Sequence, residues 1–177
     1  RRNVPPSSMI SHTTEETKAA GRALADHIQP GDFILLTGPL GSGKTTFVQG
    51  LAEGLAAGSL VTSPSFVIVR EYPLTARNRG PAAREKGGRV LRHIDLYRLS
   101  DPAVDLDRIG LTELLQDPDA ITVIEWADKL SSRPGGCVYQ VRLAHGPEPA
   151  TRDIVVEGPL EPISYIPFLL QCVKSGC

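Results

Sequence analysis

The stretch Gly38-Pro39-Leu40-Gly41-Ser42-Gly43-Lys44-Thr45 fits G-x-x-x-x-G-K-[ST], the spelling of a phosphate-binding loop. Backbone N–H groups that ring a polyphosphate require turns and close approaches that glycine accepts without strain. A helix starting near Lys44 contributes unpaired amides and the positive end of its dipole. In such a loop Lys44 reaches the β- and γ-phosphates as a point charge, and the Thr45 hydroxyl ligates Mg²⁺. The expected nucleotide contacts are therefore Gly38, Pro39, Leu40, Gly41, Ser42, Gly43, Lys44, Thr45 and Thr46, with Mg²⁺ beside the phosphates. A chance glycine turn would lack the setting found here. Residues 33–37 (FILLT) are apolar on both faces, as in a central parallel strand, and residues 45–55 place Phe47, Val48, Leu51, Ala52 and Leu55 on one helical stripe.

A phosphate loop alone hydrolyses nothing; it needs a metal-holding carboxylate and a group that places water. Asp95 closes the strand-like run 90–95 (VLRHID), and Glu125 closes 120–125 (AITVIE). Ligands of open parallel sheets collect beyond the carboxyl ends of the strands, so both acids can face the phosphates. Glu125 reads as a Walker-B-type metal acid, against the plain alternative of a strand-end acid capping a loop. Asp95 reads either as a second acid facing the phosphates or as the N-cap of a helix starting in Leu96-Tyr97-Arg98. The hydroxyl-rich stretch 62–66 (TSPSF) is either a switch segment whose Thr62 closes the Mg²⁺ shell and senses the γ-phosphate, or an ordinary turn. His93 has no second His or Cys at metal spacing and reads as a satisfied core or supporting group, not a ligand. Trp126, the sole tryptophan, is either core filler or a lid or partner contact beside the acid.

These residues need elements to position them. Residues 13–27 read as a helix with a capping-box start at Thr13 or Thr14 and a stop at Pro30-Gly31. Residues 66–71, 90–95 and 120–125 read as strands, and 111–115 as a short helix. Residues 137–143 and 152–157 alternate with polar positions and read as an antiparallel pair at one side of the sheet. The expected fold is therefore α/β: a P-loop NTPase-like, mostly parallel central sheet flanked by helices, with an antiparallel extension. The ATPase domain is expected over residues 10–160. Within it, 75–89 carries five basic residues against Glu85 alone and reads as a basic flexible insertion. Residues 161–177, with an apolar cluster broken by Pro167, read as a C-terminal extension.

Composition excludes several classes. At 177 residues, 41% hydrophobic and with a formal charge of -1, the chain suits one globular domain and is no polybasic nucleic-acid coat. Its 17 Gly and 15 Pro argue for many loops rather than a helical bundle. Cys137, Cys172 and Cys177 form no C-x-x-C pair, which argues against a disulfide framework and points to a reducing, cytoplasmic setting. No run is long and apolar enough to span a membrane, and the opening Arg1-Arg2 lacks the apolar run of an intact secretory signal, with Met9 an alternative start.

In order, GPLGSGKTTF, TSPSF, HIDLYRL, IGLTELL and VIEWADKL strongly resemble the TsaE family, the bacterial ATPases of tRNA threonylcarbamoyladenosine biosynthesis. The resemblance covers about residues 13–156, and HIDLYRL together with VIEWAD is more specific than the loop. It implies a compact α/β domain acting with TsaD and TsaB to modify the tRNA adenosine beside the anticodon, its ATP binding and hydrolysis resetting or driving the partner complex. It implies that Lys44 holds phosphate, that Thr45 and Glu125 hold Mg²⁺, that Thr62 is the switch Thr and that Asp95 orients or activates water. The regions around Thr14 and Thr151-Arg152 match the family's nucleotide-proximal positions loosely. Ser65 stands where the family commonly has Thr, and Pro39 where it often has Asp or Glu. Near-neutral charge with a basic insertion leaves tRNA touched only indirectly or weakly, and the protein is expected to be cytoplasmic and monomeric when alone.

Two other readings differ in kind. A small P-loop kinase would pass the γ-phosphoryl to a metabolite; the basic insertion could pose as its lid, but no acceptor site is evident. A non-catalytic nucleotide-dependent adaptor would only change partner affinity with ATP. A GTPase is disfavoured because no N-K-x-D guanine-reading motif is present.

Overall fold

The computed structural model describes residues 4–64, 66–75, 89–99 and 110–160. Among these, seven strands form one sheet in the order β1-β7-β6-β2-β5-β4-β3. They are β1 (Val4–Ser11), β2 (Asp32–Thr37), β3 (Val69–Pro73), β4 (Val90–Asp95), β5 (Ile121–Glu125), β6 (Cys137–His145) and β7 (Arg152–Leu160). The four central strands β6, β2, β5 and β4 are mutually parallel, while β7, β1 and β3 run antiparallel to their neighbours. The expected parallel centre with an antiparallel extension is thus the observed architecture. The helices are α1 (Thr14–Ala25), α2 (Lys44–Gly54) and the short α3 (Leu111–Leu114), with a 3-10 turn at Ala127–Lys129.

Side-chain alternation along the central strands explains how the sheet is covered. Ile34 and Leu36 of β2, Leu91 of β4, and Ile121 and Val123 of β5 face one side, where they pack with Leu24 of α1 and with Phe47, Val48 and Leu51 of α2. Phe33, Leu35, Ile94 and Ile124 face the other side, against Leu96, Ala127 and Leu130. Each such side chain, once fully buried, contributes about 1.5–3 kcal/mol. A strand buried on both faces favours apolar residues at successive positions, which is why FILLT and AITVIE are mostly apolar runs. The same alternation puts His93, Asp95 and Glu125 on the α2 side of the sheet, at or near its carboxyl edge. The two long helices pack with their backbones almost touching. A Cβ at Gly21 would stand 2.2 Å from the Phe47 carbonyl oxygen, and one at Gly50 would stand 2.0 Å from that of Lys18. That intimacy locks α2, and with it the phosphate loop, to α1.

Three expectations are corrected. The strand expected at 66–71 begins only at Val69, because Val67 and Ile68 turn their amides onto the Pro64 carbonyl and Ile68 adopts φ 66°. Phe66 is consequently 85% exposed rather than in a strand. The hairpin partners β6 and β7 are antiparallel to each other as expected, but β6 lies inside the sheet, parallel to β2. Beyond β7 the sheet continues into β1, which the sequence reading did not anticipate and which begins ahead of residue 10. Of the basic insertion at 75–89 only the two end residues are described, and Ser65 and the extension at 161–177 lie outside the described residues.

Candidate functional site

The loop between β2 and α2 lies at the carboxyl end of the parallel strands. Gly38 has φ 140°, and a Cβ there would sit 2.0 Å from the Leu143 carbonyl oxygen, so only glycine lets the chain leave β2 at this angle. Gly43, with φ 96°, is the N-cap of α2 and carries no capping side chain. The two long helices differ at this end. Thr13 caps α1 by accepting from the Glu16 amide at 3.1 Å, and Glu15 and Glu16 supply acids to its first turn. In α2 no side chain caps the amides and no acid occupies the first turn. Its first helical bond runs from the Phe47 amide to the Gly43 carbonyl, so the preceding amides and the dipole are left for an anion.

The side chains around this loop converge. Thr45 Oγ1 donates to Glu125 Oε1 at 2.9 Å, joining residues 80 apart in the chain. His93 Nε2 lies 2.8 Å from the same carboxylate oxygen. Asp95 is the register neighbour of Glu125 across β4 and β5. Its Oδ1 accepts from the Tyr97 amide at 2.9 Å and its Oδ2 from Ser63 Oγ at 3.2 Å. Both readings of Asp95 thus have a physical basis, for it caps a turn and also borders the cleft. Lys44 Nζ donates to the Gly38 and Pro39 carbonyls at 2.7 and 2.9 Å and lies 4.1 Å from the Trp126 ring centroid. Burial lowers the Lys44 pKa below its ordinary value, against the raising pull of Glu125, Asp95 and Asp128. Trp126, held at φ 58°, stacks on Tyr97 with centroids 5.0 Å apart. Lys44, Thr45, Ser63, Asp95, Tyr97, Glu125 and Trp126 border an open cleft of about 420 Å³, which also takes in Leu40, Gly41, Gly43, Thr46 and Arg98.

The structure therefore brings together Lys44, Thr45, Thr46, Asp95, Glu125 and the loop. Thr62 does not join them. Its hydroxyl accepts from Arg70 Nη1 at 2.6 Å and its backbone is bonded to the Tyr72 hydroxyl, and it is the next residue, Ser63, that borders the cleft. Thr14 is exposed at the start of α1 and outside the cleft lining. Thr17 faces the loop instead, its methyl 3.6 Å from where a Gly43 Cβ would stand. Arg152 does touch the loop, donating from Nε to the Gly41 carbonyl at 3.2 Å, and its cross-strand partner His145 bonds the Leu40 carbonyl through Nε2, also at 3.2 Å. The sequence reading assigned no role to Ser63, Tyr97 or His145. For Tyr97 the available signal was its place two residues beyond Asp95.

Two observations test whether ATP and Mg²⁺ suit these residues. Ser42 Oγ is buried beside the loop without a hydrogen-bond partner, a polar capacity that a phosphate oxygen or its water could meet. Thr45 and Glu125 offer hard hydroxyl and carboxylate oxygens, a donor set that suits Mg²⁺ sharing its shell with phosphates. Among the described residues no cluster of three His, Cys, Asp or Glu could hold a metal by itself.

The family model described as threonylcarbamoyl adenosine biosynthesis protein TsaE matches residues 11–154, a span from the end of β1 into β7. The chain belongs to the TsaE family. The Bacillus subtilis relative, a tRNA threonylcarbamoyladenosine biosynthesis protein TsaE, is 40% identical over 113 residues, covering 64% of this chain and 61% of that one. The Mycobacterium tuberculosis H37Rv relative of the same description is 34% identical over 134 residues, 73% of each chain. The crystal structure of Bacillus subtilis YdiB superposes with a TM-score of 0.63 and 28% identity over 90% of both chains. No described helix is long and apolar enough to cross a membrane.

Proposed function

We propose that this TsaE-family protein is a Mg²⁺-dependent ATPase serving threonylcarbamoyl modification of the tRNA adenosine beside the anticodon, in the cytoplasm and together with TsaD and TsaB. The observation that carries the reading is the 2.9 Å bond between Thr45 and Glu125 at the mouth of an uncapped helix. It puts the loop hydroxyl and the strand-end acid together, the two residues that would hold Mg²⁺ beside the phosphates of a bound nucleotide. Lys44 exchanges its loop carbonyls for phosphate oxygens, and the amides at the head of α2 take the remaining charge. Asp95, fixed by Tyr97 and Ser63, holds a water for in-line attack on the γ-phosphate. Bound Mg²⁺ neutralises charge developing on the phosphate oxygens; the protein's own share is positioning and electrostatic stabilisation. Loss of the γ-phosphate releases the Ser63 segment and alters the surface offered to TsaD.

Phosphate release from ATP, measured with and without TsaD and TsaB, tests the reading. Wild-type turnover is expected to rise with the partners present, and Glu125→Ala is expected to lower it roughly a hundredfold while ATP still binds. Turnover that survives this substitution removes Glu125 from the metal. Phosphorylated metabolite in place of free phosphate makes the protein a kinase, and ATP-dependent partner binding without turnover makes it an adaptor.

A further inference from the structure

We infer that His93 is a positioning residue that holds the Glu125 carboxylate in its metal-binding orientation, an inference that rests on the nucleotide reading above. His93 is completely buried in the middle of β4, on the face that also carries Leu91, with Val123 as its register neighbour across the sheet. An imidazole is expensive in such surroundings. Its Nδ1 is buried with no hydrogen-bond partner, so a leucine of similar volume would serve packing better. What the imidazole supplies that leucine does not is the 2.8 Å contact from Nε2 to Glu125 Oε1. With Nδ1 unpartnered and a carboxylate oxygen at Nε2, the hydrogen bond places a proton on Nε2. Thr45 donates to the same oxygen, so Oε1 of the carboxylate is held by two partners. Glu125 is thus pre-oriented toward the loop.

The test is ATP affinity measured by titration calorimetry, with Mg²⁺ and with EDTA, on wild type, His93→Leu and His93→Gln. The amide nitrogen of Gln reaches close to the position of Nε2 and restores a donor. His93→Leu is expected to melt within about 4 °C of wild type and to bind ATP in EDTA within twofold. Its Mg²⁺-dependent gain in affinity should fall about tenfold, and His93→Gln should recover most of it. Equal weakening with and without Mg²⁺, or an unchanged Mg²⁺ gain, overturns the positioning role. Wild-type protein that fails to bind ATP at all overturns the nucleotide reading instead. ¹⁵N NMR of wild-type protein gives an answer independent of the variants' folding: protonated Nε2 supports the inference, and a ring protonated on Nδ1 alone overturns it.

Discussion

Arg92 and His93 are adjacent on β4, both buried, and point to opposite faces of the sheet. The Arg92 guanidinium is closed on itself. It bonds Glu71 of β3 from Nε at 2.8 Å, reaches Asp117 from Nη2 at 3.1 Å and donates from Nη1 to the Leu114 carbonyl. On the His93 face the polar groups keep capacity in hand, since Ser42 Oγ has no partner and α2 lacks a cap. One face therefore uses charge as architecture, tying the edge strand and the turn after α3 to the sheet. The other holds charge in a state that only a ligand completes. Buried polar groups that are fully met hold a fold together, and those left partly unmet mark where something is to bind.

Lys44 gives the largest expected effect. Its ammonium rests on two loop carbonyls and the Trp126 face, contacts that a triphosphate would replace on the proposed reading. Lys44→Ala should weaken ATP binding on the order of a hundredfold, the worth of a charge-assisted contact, with little change in unfolding free energy. Calorimetric titration and urea unfolding check both halves. Affinity within threefold of wild type would break the contrast between the two faces, because the open face would then not depend on its cation.

Arg92 should behave in the opposite way. Arg92→Met keeps the aliphatic stem but strands Glu71 and Asp117, whose side chains are 45% and 37% exposed and so remain partly solvated. The cost should be about 2 kcal/mol, below the value for breaking a fully buried pair, with ATP affinity unchanged. A large loss of affinity at unchanged stability would show that the closed face is coupled to the cleft after all.

The same contrast explains what the sequence revealed. The central strands β2 and β5 were legible because burial on both faces favours mostly apolar runs, and the loop because its glycines answer to backbone geometry. Glu125 followed from its place at a strand end. β1 was hidden because VPPSSMIS carries no apolar alternation; pairing with β7 makes it a strand. Ser63 was passed over for Thr62 because composition cannot say which of two adjacent hydroxyls faces inward, and Arg70 and Tyr72, which hold Thr62 away, lie beyond a turn whose form depends on the φ of Ile68. The Arg92 network joins residues 21 and 25 apart, a pairing that no local pattern carries.

Ser42 sharpens the comparison at intermediate magnitude. Because its hydroxyl is bonded to nothing in the protein, Ser42→Ala should leave stability within about 0.5 kcal/mol of wild type or raise it slightly. If the hydroxyl serves the ligand, ATP affinity in the same variant should fall about fivefold, near the 1 kcal/mol of one hydrogen bond. Stability lost with affinity intact would move Ser42 to the architectural side.

The smallest effect belongs to Asp117 and is visible only in acid. Its pKa is lowered from 3.8, first by the Asp119 amide, which donates to Oδ1 at 3.0 Å, and then by Arg92, with burial opposing both. A depressed folded pKa means that the unfolded chain binds the proton more readily. The stabilisation is therefore complete above the unfolded value and is lost as pH falls through the folded one. Asp117→Asn keeps an oxygen for the Asp119 amide and removes the charge together with the oxygen that accepts from Arg92. Urea unfolding should find wild type more stable at neutral pH by under about 1 kcal/mol, a small figure because the side chain is more than a third exposed. That advantage should vanish as the pH drops below 3.8, the ordinary value of the group. A difference that stays constant across the acid range would mean that Arg92 draws its stability from Glu71 and the Leu114 carbonyl, and that the closed face needs one carboxylate rather than two.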